Sequence, residues 1–473
     1  WTFVPARQAN AAFGATPTEG GILTELEEVE APNRVFPEST AFVRLLSTLV
    51  HAPTTADPLR RGAELETHAI PDNLGAPNRA PGVEPYIRFV VDDVLLKAGQ
   101  REYLDPRERW QVTDACFAFV EKCLASFDLG PFLAWAAAGG RAPPGGMSPL
   151  QHLVQHPGFD VLTRILGGSP LLETILTIVT AGYDSIRNNL AKTPLFTRCM
   201  VRCLRIIRRV LDVQSAFLEV VLPALSDSGM HVAQDKLARL KTLSPIDQSF
   251  LYHSEVVVQI ALLVACEEDD EMALLAVEIL RIVADSPFFD VQQRFPDQSR
   301  AKLNRLVGLL QASPETLRIQ EAFVQRLEED LPESELDSPE WSAPIGDAEV
   351  ELVKAENPGA LRRAIKTAIL DLFLACTRQD RSAPNVAHLL LGFNLRARPD
   401  EMEIEDPEAA DATRTCLHVV LELLAQNVSS DESEVQVRGS PPFLAGASAD
   451  LFPLPLQQTS ILAQHPALAA QCY

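Results

Sequence analysis

The sequence predicts an all-α fold, an irregular α-solenoid of stacked helix pairs that is HEAT/ARM-like, and three observations support this prediction. Residue pairs typical of a helix start recur, each with a side chain that can accept backbone N–H groups followed by Pro at the first helical position. Apolar patterns of helix length follow these pairs. Asn-Gly and Asp-Gly turns are absent, so strands have little support. The helix-start pairs are Asp105-Pro106, Ser169-Pro170, Thr193-Pro194, Ser244-Pro245, Ser313-Pro314 and Asn357-Pro358.

The bodies of the helices follow from the apolar patterns behind these starts. The stretch from Ser244 to Cys266 is apolar nearly all round, so we expect one long helix there with neighbours on several sides. Gly182 and Gly392 stand where helices are expected to end. The apolar patterns of helix length run from Trp110, Pro170, Phe196, Phe250, Glu271 and Leu361.

The helix-start residues also predict local capping contacts, and the intervals between the starts indicate the type of solenoid. Asp105 with Glu108, and Ser244 with Asp247, have the three-residue spacing of reciprocal capping. The intervals between helix starts fit no fixed repeat, which indicates an irregular solenoid rather than a regular repeat array. A multi-domain helical bundle remains the structural alternative.

Segments that break the helical pattern divide the chain. Between Arg326 and Lys354 there are ten acidic residues and no basic one, and such segments bury too little apolar surface to fold alone. The chain starts at Trp1 and stops at Tyr473 within a helical pattern, so we interpret it as a segment of a longer protein. The predicted divisions are an extended or partly ordered N-terminal segment (residues 1–35), a first α-solenoid block (36–330), an acidic linker (331–356) and a second α-solenoid block (357–473).

Composition limits the classes of function. The chain has 473 residues, of which 47% are hydrophobic, and a net charge of −23. This charge argues against binding nucleic acid by neutralising phosphates and favours protein partners, especially basic ones. Eight Cys without a CxxC pair predict reduced, buried thiols in a nuclear or cytosolic protein.

No secretion signal or membrane span is predicted. The N-terminus lacks the charged, apolar and small-residue order of a signal peptide. The longest uncharged run, Leu451 to Tyr473, is long enough to span a bilayer, but it contains three Pro, four Gln and one His. It therefore lacks the apolarity of a membrane span.

No catalytic residue, cofactor site or metal site is predicted. Gly140 to Met147 has phosphate-loop spacing but lacks the required Lys and Ser or Thr, which indicates a flexible loop. His152 and His156 are four residues apart, but Pro157 ends the helix and no third zinc ligand is nearby. The run from Glu267 to Glu271 lacks the alternating donors and Gly of a calcium loop, and we interpret it as a solvated helix start.

One surface pattern is specific. Four arginines, here called the arginine stripe, occur at positions i, i+4, i+7 and i+11 and so share one face of a helix. The favoured interpretation is pairing with carboxylates of a neighbouring helix; docking of an acidic partner segment and binding of RNA are the alternatives. The stripe is the candidate partner-binding site, and it consists of Arg198, Arg202, Arg205 and Arg209.

A second set of side chains could be mistaken for a ligand-binding site. Its members are apolar or aromatic and occur at helical spacing, which predicts core packing at a joint between two helices. They are Tyr86, Ile87, Phe89, Val90, Trp110, Phe117 and Phe119.

Four stretches occur in a suggestive order along the chain: residues 71–112, residues 156–186 (HPGFDVLTRILGGSPLLETILTIVTAGYDSI), residues 384–393 (PNVAHLLLGF) and the terminal HPALAAQCY. The first of them contains the pattern EPYIRFVVDDVLLKAGQREYLDPRERW. Together they resemble the large inner-ring scaffold nucleoporins of the nuclear pore complex, specifically the larger of the two paralogous giant α-solenoid subunits. The smaller paralogue shares the fold and part of the Tyr86–Trp110 pattern.

The resemblance implies the middle portion of a question-mark-shaped helical solenoid that acts without catalysis in nucleocytoplasmic transport. Its implied location is the nuclear pore complex at the nuclear envelope. Its implied partners are linker nucleoporins with short binding motifs, a coiled-coil-bearing inner-ring nucleoporin and neighbouring scaffold subunits, with no cofactor, no direct nucleic acid and no membrane insertion. Short motifs of this kind give avidity while each contact stays exchangeable.

Two other classes of function remain open. A karyopherin-like α-solenoid transport receptor that binds basic cargo agrees with the acidic charge, but regular repeats of about 40 residues would be expected of it. A helical enzyme would reveal itself by a rise in melting temperature with a nucleotide or a metal ion.

Overall fold

The structure of the chain is a computed structural model. It describes residues 21–50, 83–139, 149–189, 194–227, 240–294, 300–329, 358–378, 381, 384–393, 395 and 414–425. The chain divides into two compact units, residues 1–259 and 260–473, and helices dominate the described residues. The prediction of an all-α, solenoid-type fold is confirmed. The expected acidic linker over 331–356 and the loop Gly140 to Met147 lie outside the described residues.

The first unit opens with three helices. Helix α1 runs without a break through Ile22–Thr24, the π-helical Glu25–Glu30 and Ala31–Asn33; α2 is Pro37–Leu49; α3 is Glu84–Arg88 continued by the π-helical Phe89–Leu95. The buried carboxylate of Glu30 accepts the N–H groups of Glu38 at 2.7 Å and Ser39 at 3.1 Å. It satisfies the free N-terminal donors of α2, which has no cap of its own.

Helix α4 is the centre of the first unit. It packs against α2, α3, α7 and α9, and Cys116, Phe117, Val120 and Cys123 are fully buried on it. The remaining helices of this unit are α4 (Pro106–Ala125), α5 (Gly130–Ala137), α6 (Pro149–Gln155), α7 (Pro157–Leu166), α8 (Pro170–Asn189), α9 (Pro194–Ala216, continued by the π-helical Phe217–Val221 and by Leu222–Asp227), α10 (Ile246–Phe250) and the start of α11 (Ser254–Leu263).

Most predicted helix starts fall within one residue of the observed ones. Asp105 accepts the N–H of Arg107 at 2.9 Å, and α4 begins at Pro106. Helices α8 and α9 begin at Pro170 and Pro194. The start at Ser313 is wrong by two residues, because Ser313 Oγ closes a turn by accepting the N–H of Glu315 at 3.2 Å.

The two reciprocal caps are wrong. Glu108 does not reach back to Asp105, since its carboxylate binds the start of α2 instead. Ser244 is not a cap: α10 begins at Ile246 after an extended Pro245. The backbone N–H of Ser244 donates to the carbonyl of Leu166 at 3.0 Å, so this segment is fixed by a contact distant in sequence.

The single helix expected from Ser244 to Cys266 is also wrong. A turn around Tyr252 separates α10 from α11, and Tyr252 is 80% exposed. The turn allows Phe250 before it and Val256 after it to be buried, at 0% and 1% exposure. Apolar residues on every side are therefore distributed over two short helices instead of encircling one.

Two glycines permit close approaches within the first unit. Gly182 has a φ of 74° and breaks α8 as predicted, and a Cβ there would lie 2.1 Å from Oε1 of Gln259. A Cβ on Gly158 would lie 2.4 Å from the carbonyl oxygen of Cys123. The N-terminus of α7 therefore lies directly on the backbone of α4.

The second unit is built around two long helices, α12 and α15, which pack on each other. Its elements are α12 (Asp270–Ala284), a 3₁₀ turn (Pro287–Phe289), β1 (Asp290–Arg294), β2 (Arg300–Asn304), α13 (Arg305–Ala312), α14 (Thr316–Glu328), α15 (Pro358–Cys376), α16 (Val386–Leu390) and α17 (Cys416–Ala425). Gly392, with a φ of 89°, follows α16 as predicted.

One strand pair departs from the helical prediction. Strands β1 and β2 are antiparallel, with Asp290 opposite Asn304 and Arg294 opposite Arg300. Their connection has more residues than a two-residue hairpin turn, so the Asn-Gly and Asp-Gly signals do not apply to it. Asn304 then starts α13, since its side chain accepts the N–H of Leu306 at 2.9 Å.

Five of the seven predicted core residues are buried, whereas Tyr86 and Trp110 are half-buried. Ile87, Phe89, Val90, Phe117 and Phe119 are at most 2% exposed, and α3 packs on α4, which confirms the joint between two helices. The seven cysteines within the described residues are free and buried, as predicted; Cys472 lies outside those residues.

Candidate functional site

The arginine stripe lies along the contact between α9 and α4. Asp114 and Glu121 are seven residues apart on α4 and so share one face of it. Arg198 contacts Asp114 at 3.0 Å, and Arg205 contacts Glu121 at 3.0 Å. Arg202 lies between them and contacts both carboxylates, at 2.7 Å and 2.5 Å.

Arg202 is the central residue of this ionic row. Its side chain is 18% exposed. Burial lowers the pKa of its guanidinium, but the charge of Glu121 and the hydrogen bonds with Asp114 and Glu121 outweigh burial and raise the pKa above its ordinary value. Arg202 is thus held charged between two carboxylates, and charge-assisted hydrogen bonds of this kind are stronger than neutral ones.

The two ends of the stripe differ. Arg209 donates to the carbonyl oxygens of Leu124 at 3.3 Å and Phe127 at 2.9 Å, where α4 ends. Cations satisfy free C-terminal carbonyls well. Arg198, at the other end, is 59% exposed. The geometry therefore gives all four arginines contacts within the chain and leaves Arg198 the most accessible.

An apolar layer lies beside the ionic row. Trp110 of α4 and Phe196 of α9 meet edge to face, with ring centroids 4.8 Å apart. The thiol of Cys199 donates to the carbonyl of Trp110 at 3.8 Å, and Cys203 is fully buried. Burial raises the pKa of the Cys199 and Cys203 thiols, so these thiols are neutral packing groups and not nucleophiles.

His152 is half-buried on α6, and His156 has a structural role. His156 caps α7: its Nδ1 accepts the N–H of Gly158 at 3.0 Å, and its ring lies 5.4 Å from that of Phe127. Among the described residues, no group of three His, Cys, Asp or Glu side chains is placed to hold a metal ion.

The acidic run from Glu267 to Glu271 begins α12, but it is not simply solvated. Asp269 caps the helix by accepting the N–H groups of Glu271 at 3.1 Å and Met272 at 3.3 Å. Asp270 pairs with Arg326 at 2.9 Å, and the side chain of Arg326 is 3% exposed. The run is therefore partly fixed by a buried cation from another helix.

Arg326 is a buried polar residue that sequence reasoning missed. Its guanidinium donates to the carbonyls of Val264, at 3.0 Å, and Cys266, and it also pairs with Glu329 at 3.0 Å. A signal was present: with Ile319 and Phe323, Arg326 falls at i, i+4 and i+7 on the buried face of α14. A charged residue at a core position indicates a buried partner.

In the described part of the chain, no single helix is long and apolar enough to cross a membrane. Helices Pro157–Leu166 and Pro170–Arg187 reach that length and composition only together, and they are bent by 70°.

Comparison with known proteins is consistent with this architecture. The model of the family described as nuclear pore complex scaffold, nucleoporins 186/192/205, matches residues 3–460. The chain is 25% identical over 430 residues to nuclear pore complex protein Nup205 of Homo sapiens, covering 89% of this chain and 18% of that protein. It is 23% identical over 404 residues to nucleoporin NUP192 of Chaetomium thermophilum (84% and 21%) and 23% identical over 361 residues to nucleoporin nup186 of Schizosaccharomyces pombe (75% and 19%). The chain thus spans about a fifth of the length of these relatives.

Proposed function

Because the chain belongs to the nuclear pore complex scaffold family of nucleoporins 186/192/205, we propose that it acts as a non-enzymatic adaptor in the inner ring of the pore. In this role it holds short segments of linker nucleoporins, a helix of a coiled-coil-bearing inner-ring nucleoporin and neighbouring scaffold subunits. The family is a structural scaffold of the pore at the nuclear envelope, which favours an adaptor over a karyopherin-like transport receptor.

The observation that carries the proposal is the family match over residues 3–460. The packing supports it. The ionic contact along the arginine stripe joins two helices of the same chain, and the described thiols are buried. Ion pairs between helices and buried thiols stabilise the fold of a scaffold to which other proteins can bind. Catalysis, in contrast, requires reactive groups that a substrate can reach.

Within this proposal the stripe has two roles. Arg202, Arg205 and Arg209 hold α9 on α4, whereas Arg198 offers an accessible cation to an acidic segment of a partner. Rim charges of this kind affect association rate and salt dependence more than affinity. Arg198→Gln is therefore expected to slow capture of an acidic partner segment at low salt and to lower the melting temperature only slightly, because the Arg198 side chain is mostly exposed.

The experiment is a binding titration with purified components. The recombinant chain is titrated with fragments of linker nucleoporins, with the coiled-coil-bearing inner-ring subunit and with scrambled versions of the same fragments. We expect saturable binding of at least one authentic fragment and none of its scrambled version. If no authentic fragment binds this chain while a full-length relative binds them all, the adaptor role does not belong to this segment.

A further inference from the structure

Helix α17 has an apolar face that the described residues leave open. Leu417, Val420, Leu421 and Leu424 occur at i, i+3, i+4 and i+7, so they share one side of the helix. Leu421 is 50% exposed, and the other three are only half-buried. An amphipathic helix normally turns this side toward a neighbour, so the face is available for packing.

The opposite face of α17 is already anchored. Cys416 and Val419 are 0% and 3% exposed. Arg414, just before the helix, contacts Glu328 of α14 and Glu422 of α17. The helix is thus fixed on one side, and its open side has a defined direction.

We propose that the C-terminal run of this chain, residues 451–473, packs on the open face of α17. Charged residues are 22% of the whole chain, yet this run has none in 23 residues. Its apolar side chains include Ile461, Leu462 and Leu468. Contact between an uncharged run and an apolar helix face is the combination that burial favours.

The connection is long enough for this contact. Residues 426–450 separate α17 from the run, and for comparison a random-coil linker of 25 residues would have an end-to-end distance of roughly 25–30 Å. At such a span the effective concentration of a tethered segment is on the order of millimolar. Packing within the chain therefore has an advantage over packing by a second copy at micromolar concentration.

The test places a photo-crosslinking amino acid at position 421 of the full chain. The matched control carries it at position 317, because Leu317 of α14 is similarly apolar and 64% exposed. We expect crosslinks from position 421 to peptides of residues 451–473, in a monomer band whose yield does not depend on protein concentration. The yield at these peptides should be at least about five-fold above that from position 317.

Three results would overturn the proposal. They are crosslinks from position 421 to a second copy, with a yield that rises with concentration; crosslinks to other parts of the chain only; and equal yields from positions 421 and 317. Hydrogen exchange adds an independent measurement. Removal of residues 451–473 should speed exchange of α17 amides about ten-fold and leave α12 amides unchanged, and unchanged α17 rates count against the contact. If α12 amides also exchange faster, the truncated chain is unfolding and the crosslinks alone decide.

Discussion

The carboxylate of Glu108, in the first turn of α4, accepts the backbone N–H of Phe36, the residue that precedes α2, at 2.6 Å. The bond joins residues 72 positions apart in the chain. Together with Glu30 it gives α2 two acidic caps from other elements. The start of α2 therefore depends on the correct placement of α1 and α4.

We expect Glu108→Ala to lower the free energy of unfolding by about 1–2 kcal/mol, because it removes a cap and leaves a half-buried N–H without an acceptor. Glu108→Gln keeps an acceptor oxygen and should cost less. Glu102→Ala is the control, since Glu102 and Arg34 form an exposed pair, with 74% and 57% of the side chains accessible. Urea unfolding of the three variants is the measurement, and equal costs at positions 108 and 102 would contradict the role of the cap.

Substitutions in the arginine stripe should cost more stability at its centre, Arg202, than at its exposed end, Arg198. Arg202→Ala leaves two carboxylates of α4 without their shared cation, so we expect a loss of about 2 kcal/mol. Arg198→Ala should cost less than about 0.5 kcal/mol, because that side chain is mostly exposed. A double-mutant cycle of Arg202→Gln with Glu121→Gln should give a coupling energy of about 1 kcal/mol. A coupling near zero would mean that this pair does not hold the helices together.

Gly182→Ala should destabilise the chain by about 2–3 kcal/mol, since the added Cβ meets the side chain of Gln259 at a positive φ. Gly168→Ala is the matched control: its φ is 64°, but nothing lies within 4 Å of its Cβ position. It should cost only the backbone strain of about 1 kcal/mol. Thermal unfolding of both variants separates strain from contact, and an equal loss at the two positions would exclude a steric role for Gln259.

Because His388 is half-buried, we expect the free energy of unfolding to fall in mild acid. Burial lowers its pKa in the folded chain below the ordinary 6.5, so the unfolded chain binds the proton more readily. Stability contributed by the neutral imidazole is therefore complete above about pH 6.5 and declines as the pH falls toward the lowered pKa. The urea midpoint should drop between pH 7.5 and pH 5.5, and this drop should be smaller in His388→Gln. An identical pH dependence in the variant would exclude His388 as its source.

The thiols should resist modification in the folded chain. Burial raises the pKa of Cys266 and of Cys416 to about 12 and that of Cys376 to about 11, so little thiolate exists at pH 8. In a Cys472→Ser background we expect almost no reaction with a disulfide reagent within minutes, and seven equivalents after unfolding. Rapid reaction of one or more thiols in the folded state would show that a described cysteine is accessible.

The features that the sequence predicted well depend on neighbours along the chain. Asp105 caps α4 because its side chain reaches an N–H two residues away, and Gly392 follows α16 because few other residues tolerate a positive φ there. Both are decided by local geometry. The stripe was also visible, since the spacing of its arginines on one helix is enough to align them.

The features that were missed depend on contacts across the fold. From the sequence, the carboxylate of Glu108 is expected to accept the backbone N–H of Asp105. In the structure it accepts the N–H of Phe36, just before α2, instead. Arg326 binds carbonyls 60 and 62 residues away. Local spacing cannot rank such competing partners, because their distances are set by helix packing.

Contacts between α4 and α9 follow one another along the helices, from Arg198 at one end to Arg209 at the other. A force that slides α9 along its axis past α4 must stretch all of these contacts at once. A force that lifts the Arg198 end of α9 breaks them one at a time, beginning with the exposed Arg198. The pair of helices should therefore be mechanically anisotropic, stiff under shear and weaker under peeling.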